Sequence, residues 1–156
     1  MIAPCLWFDG QAEEAARFYV SVFPDSRIDV VQRSALDWPA GKAGDVVLVE
    51  FTLAGRRHQA LNGGPGMPFS EAVSLSVDCA NQAEVDRYWD ALLEGGGEPL
   101  MCGWLKDRFG MRWQVVPRAL PQMLRDSDPE RARRVTEAMH GMVRLDVGAL
   151  RAAFDG

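Results

Sequence analysis

Apolar positions alternate singly at first and then recur at helical spacing. Residues 3–8 alternate and predict a short strand, and Asp9-Gly10 predicts a turn. Ala12, Ala15, Ala16, Tyr19 and Phe23 then fall on one helical face, with Glu13 and Glu14 in the first turn, where carboxylates suit the dipole. They predict a helix over about 11–22. Residues 28–34 read as a second strand and 37–44 as a loop. Val46–Leu53 is the clearest strand, with Val47, Val49, Phe51 and Leu53 on one face and Val46, Leu48, Glu50 and Thr52 on the other. Residues 57–61 return along it, and NGGPGMP at 62–68 forms a connector rich in Gly and Pro.

The same order then repeats. Residues 70–77 read as a strand, and Asn81-Gln82-Ala83-Glu84 fits a capping box with Asn in place of Ser or Thr. The helix this opens runs to about residue 94, where Gly95-Gly96-Gly97 stops it. Strands follow near 98–101, 103–106 and 112–116. The echo extends to words. VVLVEFTLAGRRHQAL (46–61) turns at Ala54-Gly55, and CGWLKDRFGMRWQVVP (102–117) turns at Phe109-Gly110. Each places a Gln four residues after the turn Gly, at Gln59 and Gln114. FDGQAEEAARFY and VDCANQAEVDRYW both carry an apolar-Asp pair, Gln-Ala-Glu, Arg and two aromatics. A chain that repeats itself in this way is a duplicated module. The expectation is an α+β fold of two tandem βαβββ modules forming a curved open-barrel cleft, over residues 1–118 with halves about 1–64 and 69–118. A helical extension over 119–156, with helices near 120–125, 129–139 and 147–154, is expected to serve packing or a dimer interface.

Composition narrows the function classes. A chain of 156 residues, 47% hydrophobic and 25% charged, is long enough to bury a core. A net charge of −5 argues against a nucleic-acid partner and, taken alone, favours a cationic ligand. No apolar run reaches the roughly 20 residues of a membrane span, so no membrane association is expected. MIAPCLWFDG has no basic region followed by an apolar core and predicts no signal peptide. Cys5, Cys79 and Cys102, odd in number and without CxxC spacing, suit a cytoplasmic protein and argue against a disulfide framework or zinc knuckle.

Five collinear words, LWFDGQAEEAARFYVSVFPDS, ALNGGP, EAVSLSV, EVDRYWDALLEGG and CGWLKDRFGMRWQVVP, carry a family resemblance over about residues 3–125. The chain resembles the vicinal oxygen chelate superfamily of glyoxalase, bleomycin-resistance and extradiol-dioxygenase relatives. Within it, the chain is similar to the PhnB-like branch often labelled 3-demethylubiquinone-9 3-methyltransferase. VRLDVGALRAAF is similar to the usual C-terminus of that branch. The resemblance implies a homodimer and a small-molecule ligand. It also implies a divalent metal held by four ligands, mostly His, Glu or Gln, from the first and last strands of each half. Carried over by position, these fall at Ala3 or Pro4, at His58 or Gln59, near residues 72–74, and at Gln114. Only one or two of those positions hold a ligating side chain, so a complete metal site is not expected.

The candidate residues follow. Glu50, and His58 as the one His of the repeat, are candidate bases; a carboxylate in an apolar cleft would be raised toward neutrality. Gln59 and Gln114 sit at matching depth and would orient a ligand, and Trp7 and Trp104 would wall a pocket for a flat one. Each has a plainer role available: core packing for Trp and His, strand hydrogen bonding for Gln, a paired charge for Glu50. His140 lies in the tail, and Lys106-Asp107-Arg108 reads as a charged turn. No GxGxxG is present for S-adenosylmethionine. Two classes remain: a binding protein that sequesters an organic ligand, and a metal-dependent lyase, isomerase or dioxygenase-like enzyme.

Overall fold

The computed structural model describes residues 2–156, which form two compact units, one ending at Phe69 and the other spanning Ser70–Gly156. The first contains β1 (Cys5–Phe8), α1 (Ala12–Val22), β2 (Arg27–Arg33), β3 (Val46–Leu53) and β4 (Arg56–Asn62), in the sheet order β1-β4-β3-β2. The second contains β5 (Leu75–Cys79), α2 (Gln82–Leu93), β6 (Glu98–Pro99), β7 (Trp104–Lys106) and β8 (Arg112–Pro117), in the order β5-β8-β7-β6. It continues into α3 (Ala119–Leu124), α4 (Pro129–His140) and α5 (Val147–Asp155). In both sheets the first strand runs parallel to the last, and the other neighbours are antiparallel. The fold is α+β, with the duplicated topology that the repeated words predict. Neither four-stranded sheet closes into a barrel.

In the first unit the apolar face of β3 packs under α1. Val49 and Phe51 are fully buried, as are Ala12, Ala15, Ala16 and Tyr19. Three alanines on one helical face bring the helix close to the sheet, and the Tyr19 and Phe51 rings lie 6.5 Å apart. Burying each large apolar side chain contributes roughly 1.5–3 kcal/mol. The N-terminus of α1 has no cap of its own, since the Gln11 side chain makes no capping bond. Asn62, buried at the end of β4, does that work: the Ala12 N–H donates to its Oδ1 at 2.9 Å. Its Nδ2 donates to the Val46 carbonyl at 2.9 Å, which ties helix start and sheet together. Asn62→Ala is expected to cost about 1–2 kcal/mol in urea denaturation, because it takes the partner from a buried N–H and a part-buried carbonyl. An unchanged midpoint would contradict that role.

In the second unit Asn81 caps α2 by accepting the Glu84 N–H at 3.0 Å. Glu84 reaches back to the N–H of Ala80 rather than that of Asn81, a small displacement of the usual reciprocal bond. Gly95 and Gly96, with φ of 79° and 113°, then end the helical path. The helical extension has its own buried cluster of Leu120, Met123, Val135, Leu145 and Leu150, against which Val116 of β8 packs. Polar bonds pin it to α2: Gln82 donates to the Leu145 carbonyl and accepts the Val147 N–H, and Arg144 pairs with Asp86 and Asp90. The N–H groups of Cys102 and Gly103 donate to the Met142 and Val143 carbonyls at 2.7 and 2.8 Å.

Two elements differ from the sequence expectation. β5 begins at Leu75, five residues after the expected start at 70, because Glu71 and Ala72 turn and residues 70–74 have no ladder partner. The two hairpins also differ. Ala54-Gly55 is a two-residue turn with both φ positive, whereas residues 107–111 separate β7 from β8. That longer turn is built on Asp107, which is almost fully buried. Its Oδ1 accepts the Phe109 and Met111 N–H groups at 2.9 and 3.0 Å, and its Oδ2 accepts the Trp113 indole N–H at 2.8 Å.

Candidate functional site

Each sheet has one face under a helix and one open face, and strand alternation assigns side chains to them. On the open face of the first sheet, Glu50 and Gln59 are directly paired across β3 and β4, with Cys5 beside Gln59 on β1. Glu50 Oε1 accepts from Arg57 Nη2 at 2.6 Å and from Gln59 Nε2 at 3.2 Å. Glu50 is thus a paired charge, oriented by the Gln that was its expected co-worker. Trp7 lies on the same face, paired with Leu61. Its indole N–H donates to the Gly64 carbonyl at 2.8 Å. A Cβ at Gly63 would fall 2.1 Å from its ring, so the seat of this indole needs glycine there.

His58 does not join them. It sits on the helix side of β4, only 6% exposed, with its ring stacked on Phe51 at 5.4 Å and its Nδ1 2.9 Å from the Arg56 carbonyl. Alternation along β4 forces this, because residue 59 faces the open side and residue 58 therefore cannot. A base role shared with Glu50, and a metal-ligand role on the open face, both require the opposite orientation.

On the open face of the second sheet, Gln114 pairs with Trp104 on β7 and with Ser76 on β5. Its Nε2 donates to Ser74 Oγ at 2.9 Å. Trp104 lines a cavity of about 360 Å³ together with Glu71, Leu100, Met101 and Arg112. The loop that supplies Leu100 and Met101 leads into Cys102, whose φ is 60°, and the tail carbonyls that bond Cys102 and Gly103 hold that wall. The helical extension therefore fixes part of the cavity.

Arg112 and Glu71 were not among the expected site residues, yet the repeat contained the signal for Arg112. Arg57 stands two residues after Gly55, and Arg112 stands two residues after Gly110. The second sheet repeats an Arg-x-Gln pattern but places Trp104 where the first places Glu50, since Glu50 faces Gln59 and Trp104 faces Gln114. Arg112 finds its carboxylate outside the sheet, in Glu71 at 2.8 Å.

The donors do not fit the chelated metal of the superfamily. Ala3 and Pro4 carry no ligating side chain, His58 faces the core and residues 72–74 hold no His or carboxylate, which leaves only the amide oxygens of Gln59 and Gln114 at the four expected positions. Among the described residues no three His, Cys, Asp or Glu side chains converge. Cys79 is fully buried, and its thiol is pushed up to about 12, first by burial and then by Glu84 and Asp78. It stays protonated at neutral pH, and a thiol in that state is a poor nucleophile.

The comparisons with known proteins agree with the duplicated topology. The family model described as 3-demethylubiquinone-9 3-methyltransferase matches residues 1–116. The chain belongs to this family. A PhnB protein from Bacillus cereus is 34% identical, with a TM-score of 0.67, over 74% of this chain and 98% of that one. A protein from Pseudomonas aeruginosa is 23% identical, with a TM-score of 0.62, over 75% of this chain and 96% of that one. The fosfomycin resistance protein FosX from Listeria monocytogenes, solved with Mn(II) and sulfate, shares the fold at 13% identity and a TM-score of 0.53, over 80% of this chain and 94% of that one. No curated protein matches the chain. The family match stops at residue 116, before the helical extension whose loop carbonyls hold the cavity wall.

Proposed function

We propose that this family member binds a small organic ligand on its open sheet faces and holds it without a chelated metal. The observation that carries the reading is the cavity against Trp104, walled by Leu100 and Met101 and closed by the polar ends of Arg112 and Glu71. An apolar cavity of this size with a few polar groups suits a small molecule, since ligand sites run from about 300 to 1,000 Å³. Gln114, beside Trp104, is the further contact proposed in the second unit, and Trp7, Glu50 and Gln59 are proposed as a ligand face of the first unit taken by itself. His58 is left out because it is a core side chain. A homodimer is part of the proposal: β2 and β6 are sheet edges, and Val30 on β2 is about half exposed. No helix among the described residues is long and apolar enough to cross a membrane.

Methyl transfer, which the family description names, is left out of the proposal. Gly95-Gly96-Gly97 ends α2 instead of opening a helix after a strand, so it offers no cradle for an S-adenosyl cofactor. A thermal-shift screen of small organic compounds tests the reading. Compounds that raise the melting temperature of the wild type are expected to lose that effect in Trp104→Ala. Stabilisation by divalent cations alone would overturn the reading in favour of a metalloenzyme.

A further inference from the structure

The cavity of the second unit has a chemical preference that net charge does not reveal. Arg112 enters it from the sheet, and its side chain is only 15% exposed. Its Nη2 donates to one oxygen of Glu71, while its Nη1 is buried and has no hydrogen-bond partner. A buried guanidinium N–H without an acceptor is unfavourable, and the planar fork of arginine matches a carboxylate through two parallel bonds. Glu71 meets that fork on one side only.

Glu71 is also poorly placed to keep it. Its side chain is 83% exposed and belongs to the turn before β5, where the backbone has no ladder partner. Water solvates the displaced carboxylate, so exchanging it for a ligand carboxylate costs little, whereas leaving the guanidinium with neither would cost more. The neighbouring pair follows the same pattern. Lys106, paired with Arg112 across the sheet, is 28% exposed, and its partner Glu98 is 60% exposed. In both pairs the cation is the more buried partner and the carboxylate the more exposed one. In the first unit the corresponding Arg57 has a carboxylate on its own sheet, Glu50. In the second unit an indole occupies that place, so the guanidinium has an aromatic neighbour and an exposed, replaceable anion.

We propose that this cavity recognises an organic acid: Arg112 takes the carboxylate, a flat apolar body lies against Trp104 between Leu100 and Met101, and Glu71 occupies the guanidinium in the ligand-free protein. The inference rests on the reading that a small organic molecule binds the open face, and it names the class of that molecule. It runs against the expectation of a cationic ligand from the net charge of −5, because the group left needing a partner here is a cation. The flexible thioether of Met101, which is half exposed, adapts to a ring placed on Trp104.

The test is an NMR titration of the full chain with benzoate, benzamide and benzylamine, which share a ring and differ in charge. Benzoate is expected to shift the Trp104 indole N–H saturably, with benzamide about ten-fold weaker or more and benzylamine without effect. Glu71→Gln is expected to tighten benzoate about two- to five-fold by removing the competing anion. Arg112→Gln is expected to abolish the preference for benzoate over benzamide while the rest of the spectrum stays folded. Equal binding of benzamide and benzoate would overturn the inference while leaving the ligand-binding reading intact. Weaker benzoate binding in Glu71→Gln would also overturn it, since the ion pair would then build the pocket instead of guarding it. So would the absence of any shift at Trp104 with all three probes.

Discussion

Asp107→Ala is expected to lower the unfolding free energy by about 3–5 kcal/mol. The carboxylate is nearly inaccessible and holds two backbone N–H groups and the Trp113 indole. Removing it takes the acceptor from three donors, two of them buried and the Phe109 N–H part-buried, and each buried group left so costs about 1–3 kcal/mol. Asp107→Asn should fall between the wild type and the alanine variant. Its single carbonyl oxygen can keep the two backbone donors, but its amide then meets the indole N–H donor to donor. Urea denaturation followed by Trp fluorescence measures both variants. An Asp107→Ala midpoint equal to the wild type would show that the turn is held by something else.

Leu145→Ala is expected to cost about 2–4 kcal/mol and to loosen a loop remote in sequence. Leu145 is fully buried, and its side chain lies where a Cβ on Gly103 would approach it to 2.8 Å. The residues just before it, Met142 and Val143, bind the N–H groups of Cys102 and Gly103. Shrinking Leu145 should therefore speed amide hydrogen exchange at Cys102 and Gly103 together with the expected loss of stability. Exchange accelerated only within α4 and α5 would mean that the extension does not hold the cavity wall.

The repeat made the fold legible. Period-two alternation in Val46–Leu53 picked out Val49, Phe51 and Leu53 as buried, although Val47 is half-buried and Thr52 of the opposite face is buried too, and the helix over about 11–22 emerged as Ala12–Val22. The strand expected from residue 70 failed because Glu71 to Ser74 look like sheet residues but have no neighbour to pair with, and pairing is not written in a single segment. His58 misled for a simple reason. A histidine beside a glutamine on a strand is one residue away in sequence and on the opposite face in space. Asp107 misled because a charged residue in a turn usually faces water, and only the nearby indole and backbone donors reveal why this one does not. Arg112 was legible in principle, as the counterpart of Arg57. Its burial was not, since it depends on a cavity built from the 100–101 loop and the turn at Glu71.

The most direct test of the central claim is calorimetric titration of the purified, untagged, metal-analysed protein with Mn²⁺, Ni²⁺, Zn²⁺ and Fe²⁺. The proposed reading of a ligand-binding protein with no chelated metal predicts no stoichiometric metal in the protein as purified and only weak, nonsaturating heats. Stoichiometric binding that disappears in Gln114→Ala would contradict it and make the open face of the second sheet part of a metal centre.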